Sequence, residues 1–396
     1  MKKALIIPIG TGAKPTSEAV ESLAHGITYS IQASHPDMVY FIVTRESKKL
    51  TLPHILQKIG AQNYETIEIE DPDNIQNIYE TLNQKFREIR QTYPILSVDY
   101  TSGTKAMTGA LIILGTFHEA DSLNYVTGKR VGGIVQKGTE RINHIRPYFA
   151  ILEKKLSTAK KFFNQCQYDA VLTIIQEIEK ATADPRIHQS ITDLKALANS
   201  YSAWDKFDHS TAFNHLKTVK DPLCNQNKSF LGRLLHTQEN EPYLIADLIN
   251  NARRRGDIEK KYDDAVARLY RTLEFLTQYE LKRRYSLNAG NLPIEEVPQD
   301  LRKEWGVQGR EQKIKIGLNK TCQLLAEKRN HFGKQLTEDK ELLNLLSKRN
   351  NSILAHGTEP VDQKTYLKLL QKTIHYASQV IPNLENLIQD STFNRL

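Results

Sequence analysis

The sequence predicts an α/β N-terminal Rossmann-like domain with a parallel sheet, followed by an all-α remainder. Over roughly the first 150 residues, short apolar stretches alternate with amphipathic helical stretches. Beyond residue 152 the apolar spacing is helical, with breaks at Asp184-Pro185 and Asp221-Pro222. Because parallel neighbours need crossover connections, strands that alternate with helices favour a doubly wound parallel sheet.

The N-terminal third contains both kinds of pattern in alternation. Buried or alternating apolar runs predict strands at 4–9, 39–43, 65–69, 95–100, 122–126 and 132–136. Between them, apolar residues at helical spacing predict helices at 16–31, 74–93 and 106–117.

The remainder shows helical spacing and no fixed-period repeat. Helices are predicted at 152–180, 187–203, 208–219, 243–285 with a break near Gly256, 311–332, 339–355 and 362–390, and 286–310 is expected to be loop. We predict an α/β domain at 1–150, a helical linker region at 151–249 and a helical C-terminal domain at 250–396.

Composition and charge narrow the class of protein. The 396 residues carry a net charge of +8, and residues 250–396 hold 26 basic against 19 acidic side chains, so the last third is the part expected to attract a polyanion. Three widely spaced cysteines (Cys166, Cys224, Cys322) exclude a disulfide scaffold and a cysteine-rich metal site. The short apolar start and the lack of any long apolar run predict a cytoplasmic protein without membrane spans.

Two loops at strand ends carry the residues suited to an anionic ligand. One runs Gly10-Thr11-Gly12-Ala13-Lys14 and the other Thr101-Ser102-Gly103-Thr104-Lys105. Glycines let the backbone approach a phosphate, while hydroxyls, amides and a helix N-terminus bind it. Neither loop is a Walker or dinucleotide motif, and either one alone is equally well explained as a plain connection. Because ligands bind at the carboxyl ends of parallel strands, the pair predicts an anion or nucleotide pocket.

The C-terminal region contains a second chemical motif, in the run 348–358. Arg349 and Asn350 are followed after a short interval by His356. An arginine can stabilise the charge that develops on a phosphate, and a histidine can move protons to or from ribose oxygens. As a bare spacing the motif is very weak, since a capped helix end with a surface histidine explains it better. We interpret two further polar runs, Arg329-Asn330-His331 and Lys282-Arg283-Arg284, as surface residues. The second run has an alternative interpretation, in which it lines a path for RNA.

Taken together, these segments resemble the type III CRISPR-associated ribonucleases that join a CARF domain to a HEPN domain. The resemblance rests on 98–107, on the helical run 262–274 and on Arg349-Asn350 with His356. It implies an all-α HEPN domain that cuts single-stranded RNA without metal or cofactor and leaves a 2′,3′-cyclic phosphate. Arg349, Asn350 and His356 are then the catalytic residues.

The same resemblance implies a cyclic oligoadenylate activator and a homodimer. The ring is expected to lie across a two-fold axis on Gly10, Thr11, Gly12, Lys14, Thr101, Ser102, Gly103, Thr104 and Lys105, with adenine walls from Thr44, Arg45 and Met107. The sequence leaves open whether the ring has four adenylates, which we favour, or six, and whether Thr11, Thr101, Ser102 and Lys105 also cleave it. The alternative is a non-catalytic nucleotide sensor whose helical half binds a protein or nucleic acid, although no basic recognition helix is evident.

Overall fold

A computed structural model describes residues 1–12, 16–131, 134–181, 185–307 and 312–396. The chain divides into two compact units, Met1–Lys155 and Leu156–Leu396. None of the helices in these described ranges has the length and apolar character needed to cross a bilayer.

The first unit is built on a mixed sheet. Its strands are β1 (Lys3–Pro8), β2 (Met38–Val43), β3 (Tyr64–Glu68), β4 (Ile95–Asp99), β5 (Ser122–Thr127) and β8 (Arg141–Ile145), with a separate hairpin of β6 (Arg130–Val131) and β7 (Ile134–Val135). The order across the sheet is β3-β2-β1-β4-β5-β8. Pairings from β3 to β5 are parallel, as predicted. The edge strand β8 is antiparallel to β5 and was not predicted, because a polar strand that is exposed at nearly every position gives little apolar signal.

Helices cover both faces of this sheet. They are α1 (Ser17–Ser34), α2 (Arg45–Leu50), α3 (Leu52–Ile59), α4 (Ile75–Thr92) and α5 (Lys105–Phe117). Alternate residues of β1 point to opposite faces, so Ala4 and Ile6 pack with α4 and α5 while Leu5 and Ile7 pack with α1 and α3. The doubly wound α/β prediction is therefore confirmed.

The second unit is largely helical, also as predicted. Its helices follow α6 (Tyr148–Asn164), which begins in the first unit, and are α7 (Tyr168–Ala181), α8 (Pro185–Asp205), α9 (His209–Leu216), α10 (Asn225–His236), α11 (Glu241–Arg253), α12 (Tyr262–Tyr285), α13 (Gln299–Glu304), α14 (Leu318–Glu327), α15 (His331–Glu338), α16 (Lys340–Asn350), α17 (Gln363–Val380) and α18 (Leu384–Asp390), with 3₁₀ turns at Pro222–Cys224 and Ile294–Glu296. Two short antiparallel strands, β9 (Leu292–Pro293) and β10 (Lys313–Ile314), lie in regions predicted as loop and helix.

Two breaks in this unit have clear causes. The run predicted as one helix at 152–180 splits where Cys166 adopts a left-handed φ of 60°. The predicted break near Gly256 is a π-helical turn over Arg254–Ile258. There a side chain on Gly256 would meet the Tyr366 ring at 2.2 Å, so only glycine fits. Helix α12 runs through the core from this point, with Leu269, Leu273 and Leu276 fully buried.

Candidate functional sites

The two predicted ligand loops lie side by side at one edge of the sheet. Because β1 and β4 are adjacent and parallel, the loops that follow them leave the same edge. The Gly10 N–H donates to Ser102 Oγ at 3.1 Å, and a Cβ on Gly10 would lie 3.1 Å from the Gly103 nitrogen. Gly103 itself has a left-handed φ of 95° with Pro8 against it, a conformation that disfavours any side chain. The two loops thus form one continuous backbone surface.

The buried carboxylate of Asp99 holds the second loop, residues 101–105, in position. Asp99, at the end of β4, has no exposed surface and accepts hydrogen bonds from the Ser30 hydroxyl at 2.5 Å and the Thr101 N–H at 2.7 Å. Burial raises the pKa of this carboxyl, and those two partners oppose the rise. The Thr101 hydroxyl in turn accepts from the Val126 N–H at 2.8 Å on β5. Asp99 and Ser30 are positioning residues that the sequence analysis did not select, although Asp99 lies inside the segment that carried the resemblance.

The other predicted ligand residues differ in where their side chains lie. Thr44 and Thr104 cap the N-termini of α2 and α5, where each side chain accepts a backbone N–H. Arg45 and Lys105, the first residues of those helices, are exposed, as is Gly12, while Thr11 is half-buried. Lys14 lies outside the described residues.

Met107 does not form the expected adenine wall. Its side chain is 1% exposed and packs in the core with Ala110, Leu111 and Leu114. Position 107 falls on the inward face of α5, a placement that sequence spacing near a helix start did not reveal.

The predicted catalytic residues lie in one tight turn at the end of α16. Asn350 is the last residue of that helix, and its carbonyl accepts the His356 N–H at 3.1 Å. The Ser352 N–H donates to the Arg349 carbonyl at 3.1 Å, so the intervening residues fold back on themselves. A Cβ on Gly357 would lie 2.0 Å from the Asn351 carbonyl oxygen, so the turn closes only with glycine there. The spacing between Arg349 and His356 therefore follows from a compact backbone arrangement.

The Arg349 side chain is held on the face of a tyrosine. Its guanidinium carbon lies 4.2 Å from the centroid of the Tyr270 ring on α12. One of its Nη atoms donates to Asn350 Oδ1 at 3.2 Å, and its Nε is buried without a hydrogen-bond partner among the described residues. Asn350 and His356 are exposed. One backbone turn thus carries a half-buried guanidinium, which can bind a phosphate, and an exposed imidazole, which can transfer a proton.

The structure also bears on metal binding. In the described residues, no group of three or more His, Cys, Asp or Glu side chains is arranged to hold a metal ion.

Two protein-family models match the helical part of the chain. The family model of the Csm6 HEPN domain matches residues 233–380, and the model of the Csm6 6H domain matches residues 152–244. The fold is similar to that of Enterococcus italicus Csm6 bound to cyclic hexa-2′-fluoro-hexa-dAMP, with a TM-score of 0.65 and 12% identity over 99% of this chain and 98% of that one. A comparison with Can2 from Sulfobacillus thermosulfidooxidans in complex with cyclic tetra-adenylate gives a TM-score of only 0.25, with 14% identity over 72% of this chain and 69% of that one. No curated protein matches the sequence.

The fold and the C-terminal motif define a two-part protein with a sensor-type α/β unit and a helical nuclease-type unit. The chain belongs to the CRISPR-associated CARF–HEPN proteins, as the resemblance in the sequence indicated.

Proposed function

We propose that this protein is a cyclic-oligoadenylate-activated endoribonuclease that cuts single-stranded RNA in type III CRISPR antiviral defence. The observation that carries the proposal is the turn that brings Arg349, Asn350 and His356 together within the region matched by a HEPN model. Residues 1–150 sense the activator, 151–249 connect the domains, and 250–396 cut RNA. The cytoplasm is where transcripts and activator meet.

Cleavage needs only groups that the chain supplies. The oxygen of the ribose 2′-hydroxyl attacks the adjacent phosphorus as that hydroxyl gives up its proton. The bond to the 5′-oxygen breaks, this oxygen takes up a proton, and a 2′,3′-cyclic phosphate and a 5′-hydroxyl remain. Arg349 neutralises the charge that develops on the phosphate, and His356 transfers a proton to or from a ribose oxygen. Asn350 accepts a guanidinium hydrogen bond and so orients Arg349. The reaction is proposed to be independent of metal, so RNA cutting should persist in excess chelator.

A homodimer would pair the two kinds of site. Large apolar side chains are exposed on the outer face of α5 (Ile112, Ile113, Phe117) and around the catalytic turn (Leu343, Ile353, Leu354, Leu367). Clustered exposed apolar surface marks association sites, and a two-fold axis would bring both copies of each site together. The α5 face begins beside Lys105, so the same axis would place two ligand loops next to each other.

The activator is proposed to bind across those paired loops. Its phosphates would meet the exposed Lys105 and Arg45 and the N-termini of α5 and α2. Binding must favour the active arrangement, since moving a population from 1:99 to 99:1 takes a differential affinity of about 5.5 kcal/mol. The sequence favoured a ring of four adenylates, whereas the Enterococcus italicus protein holds an analogue with six, so both rings are proposed as candidates.

The deciding experiment measures RNA cutting with no ring, with cyclic tetra-adenylate and with cyclic hexa-adenylate. Ring-dependent cutting that His356→Ala and Arg349→Ala abolish, with ring affinity intact, supports the proposal. Ring binding without cutting by the native chain would favour the non-catalytic sensor. Lys105→Ala should raise the ring concentration needed for activation, while Lys303→Ala, a matched exposed lysine in the other unit, should not.

Cleavage of the ring itself is a second proposed activity of the loop edge. In this proposal, Thr11, Thr101, Ser102 and Lys105 orient a 2′-hydroxyl of the bound ring and stabilise the charge that develops during cleavage. Incubating the ring with the His356→Ala variant and following its linear products tests this activity apart from RNA cutting.

A further inference from the structure

A basic cleft in the helical unit lies outside both sites described above. It opens beside the C-terminal end of α12, has a volume of about 670 Å³, and is lined by Glu280, Arg283, Arg284, Arg329, His331 and their neighbours. We propose that this cleft binds the phosphodiester backbone of the single-stranded RNA substrate, away from the cut position. The inference rests on the proposed ribonuclease function.

A buried carboxylate organises the basic side chains of the cleft. Glu280 is only 5% exposed at its side chain, where it accepts from Arg283 Nη2 at 2.6 Å and pairs with Arg284 Nε at 3.4 Å. Its other contact is the Asn330 amide, which donates at 3.1 Å. Held on one carboxylate, the two guanidinium groups lose less conformational entropy when they bind a phosphate.

The cleft keeps an excess of positive charge. Three arginines and one carboxylate line the cleft, which leaves a net charge of +2 before His331 is counted. Arg329 is exposed, and within the described ranges no carboxylate forms an ion pair with it. Its backbone has a left-handed φ of 58°, a conformation that glycine or asparagine would adopt more easily than arginine. An unneutralised arginine next to a preorganised arginine pair is suited to a polyanion with regularly spaced phosphates.

The position of the cleft relative to Arg349 favours RNA over an acidic protein segment. Arg284 lies 14 residues beyond Tyr270, the residue under Arg349, on the same helix. With 1.5 Å of rise and 3.6 residues per turn, the Arg284 position lies about 21 Å along the helix axis from Tyr270 and is rotated about 40° around that axis. A stacked single strand rises about 3.4 Å per nucleotide, so a strand in the active site reaches the cleft within about six nucleotides.

The test uses the full-length chain with Arg284→Gln/Arg329→Gln, which leaves Glu280 paired with Arg283 and Asn330. In the His356→Ala background, binding of a labelled single-stranded RNA of roughly 20 nucleotides is followed against salt concentration. The logarithm of the RNA association constant falls as log salt concentration rises, and losing two phosphate contacts should make this slope shallower by about 1.4. In the otherwise native chain, activated by its ring, KM for that RNA should rise about five-fold with kcat unchanged, an effect typical of exposed charge pairs. A trinucleotide should show no change in KM.

The matched control is Lys220→Gln/Lys303→Gln, which removes two exposed cations elsewhere in the same unit. If cleft and control variants share the native salt slope and KM, the inference is wrong while the ribonuclease function stands. If the cleft variant loses RNA binding but the native chain never cuts RNA, the proposed function fails and the cleft assignment survives. If poly-glutamate of equal charge binds the native cleft more tightly than RNA, the cleft is a protein-docking site and the inference is overturned.

Discussion

The stacking of Arg349 on Tyr270 leads to a specific prediction about catalysis. The guanidinium carbon lies 4.2 Å from the ring centroid, and among the residues that the structure describes only Asn350 accepts a side-chain hydrogen bond from this arginine. A partly desolvated cation–π contact contributes about 0.5–2 kcal/mol. If that contact holds Arg349 in its reactive orientation, Tyr270→Leu should lower kcat by about 2- to 30-fold, because each 1.36 kcal/mol is a factor of ten in rate.

The assay is single-turnover cutting of a labelled single-stranded RNA at saturating ring and protein. Tyr270→Phe is the matched control: it keeps the aromatic face and should keep near-native kcat. Thermal unfolding of both variants separates loss of positioning from loss of fold, since Tyr270 packs partly against the core of the helical unit. Native kcat in the leucine variant, or equal losses in the phenylalanine and leucine variants, would refute the reasoning.

Three further outcomes are expected. Ser102→Ala leaves the Gly10 N–H without its partner and should raise the ring concentration for half-activation several-fold in a titration. Ser122→Ala should not, since it removes only a hydrogen bond between the half-buried hydroxyls of Ser122 and Ser97. Gly357→Ala forces the catalytic turn apart and should cut kcat at least about ten-fold with an unchanged circular dichroism spectrum. Burial raises the pKa of Asp339, but its hydrogen bonds lower it more strongly, and the net pKa is about 2. The ionised carboxylate therefore stabilises the fold at any pH above its ordinary pKa, and this contribution is lost as the pH falls toward 2. Asp339→Asn should therefore cost about 1–3 kcal/mol in urea unfolding at pH 7 and progressively less below pH 4.

Some of the site could be predicted from sequence because its signals are local. The glycine and hydroxyl residues after β1 and β4 mark loops, and the order of strands and helices places both loops at one sheet edge. The motif Arg349 to His356 was readable as a spacing, and the family model over 233–380 supports the domain that contains it. Where each catalytic or ligand-binding residue acts stays a prediction.

Other features depend on contacts between distant segments. Tyr270 lies 79 residues before Arg349, Ser30 lies 69 residues before Asp99, and neither pairing leaves a periodic trace in the sequence. Met107 was misplaced for a related reason, since the inward face of α5 is set by packing against the sheet. The basic cleft was likewise divided in sequence between two unremarkable surface runs, 282–284 and 329–331.

The sequence by itself determined the alternation of strands and helices, the helical second unit, and the chemical types available in each loop, because these follow from residue periodicity and local backbone preference. Only the tertiary structure decided which side chains meet: the carboxylate beneath the ligand loop, the ring beneath the catalytic arginine and the arginines around Glu280. The physical reason is that such contacts are made by packing between segments far apart in the chain, where burial and geometry, rather than local propensity, select the partner.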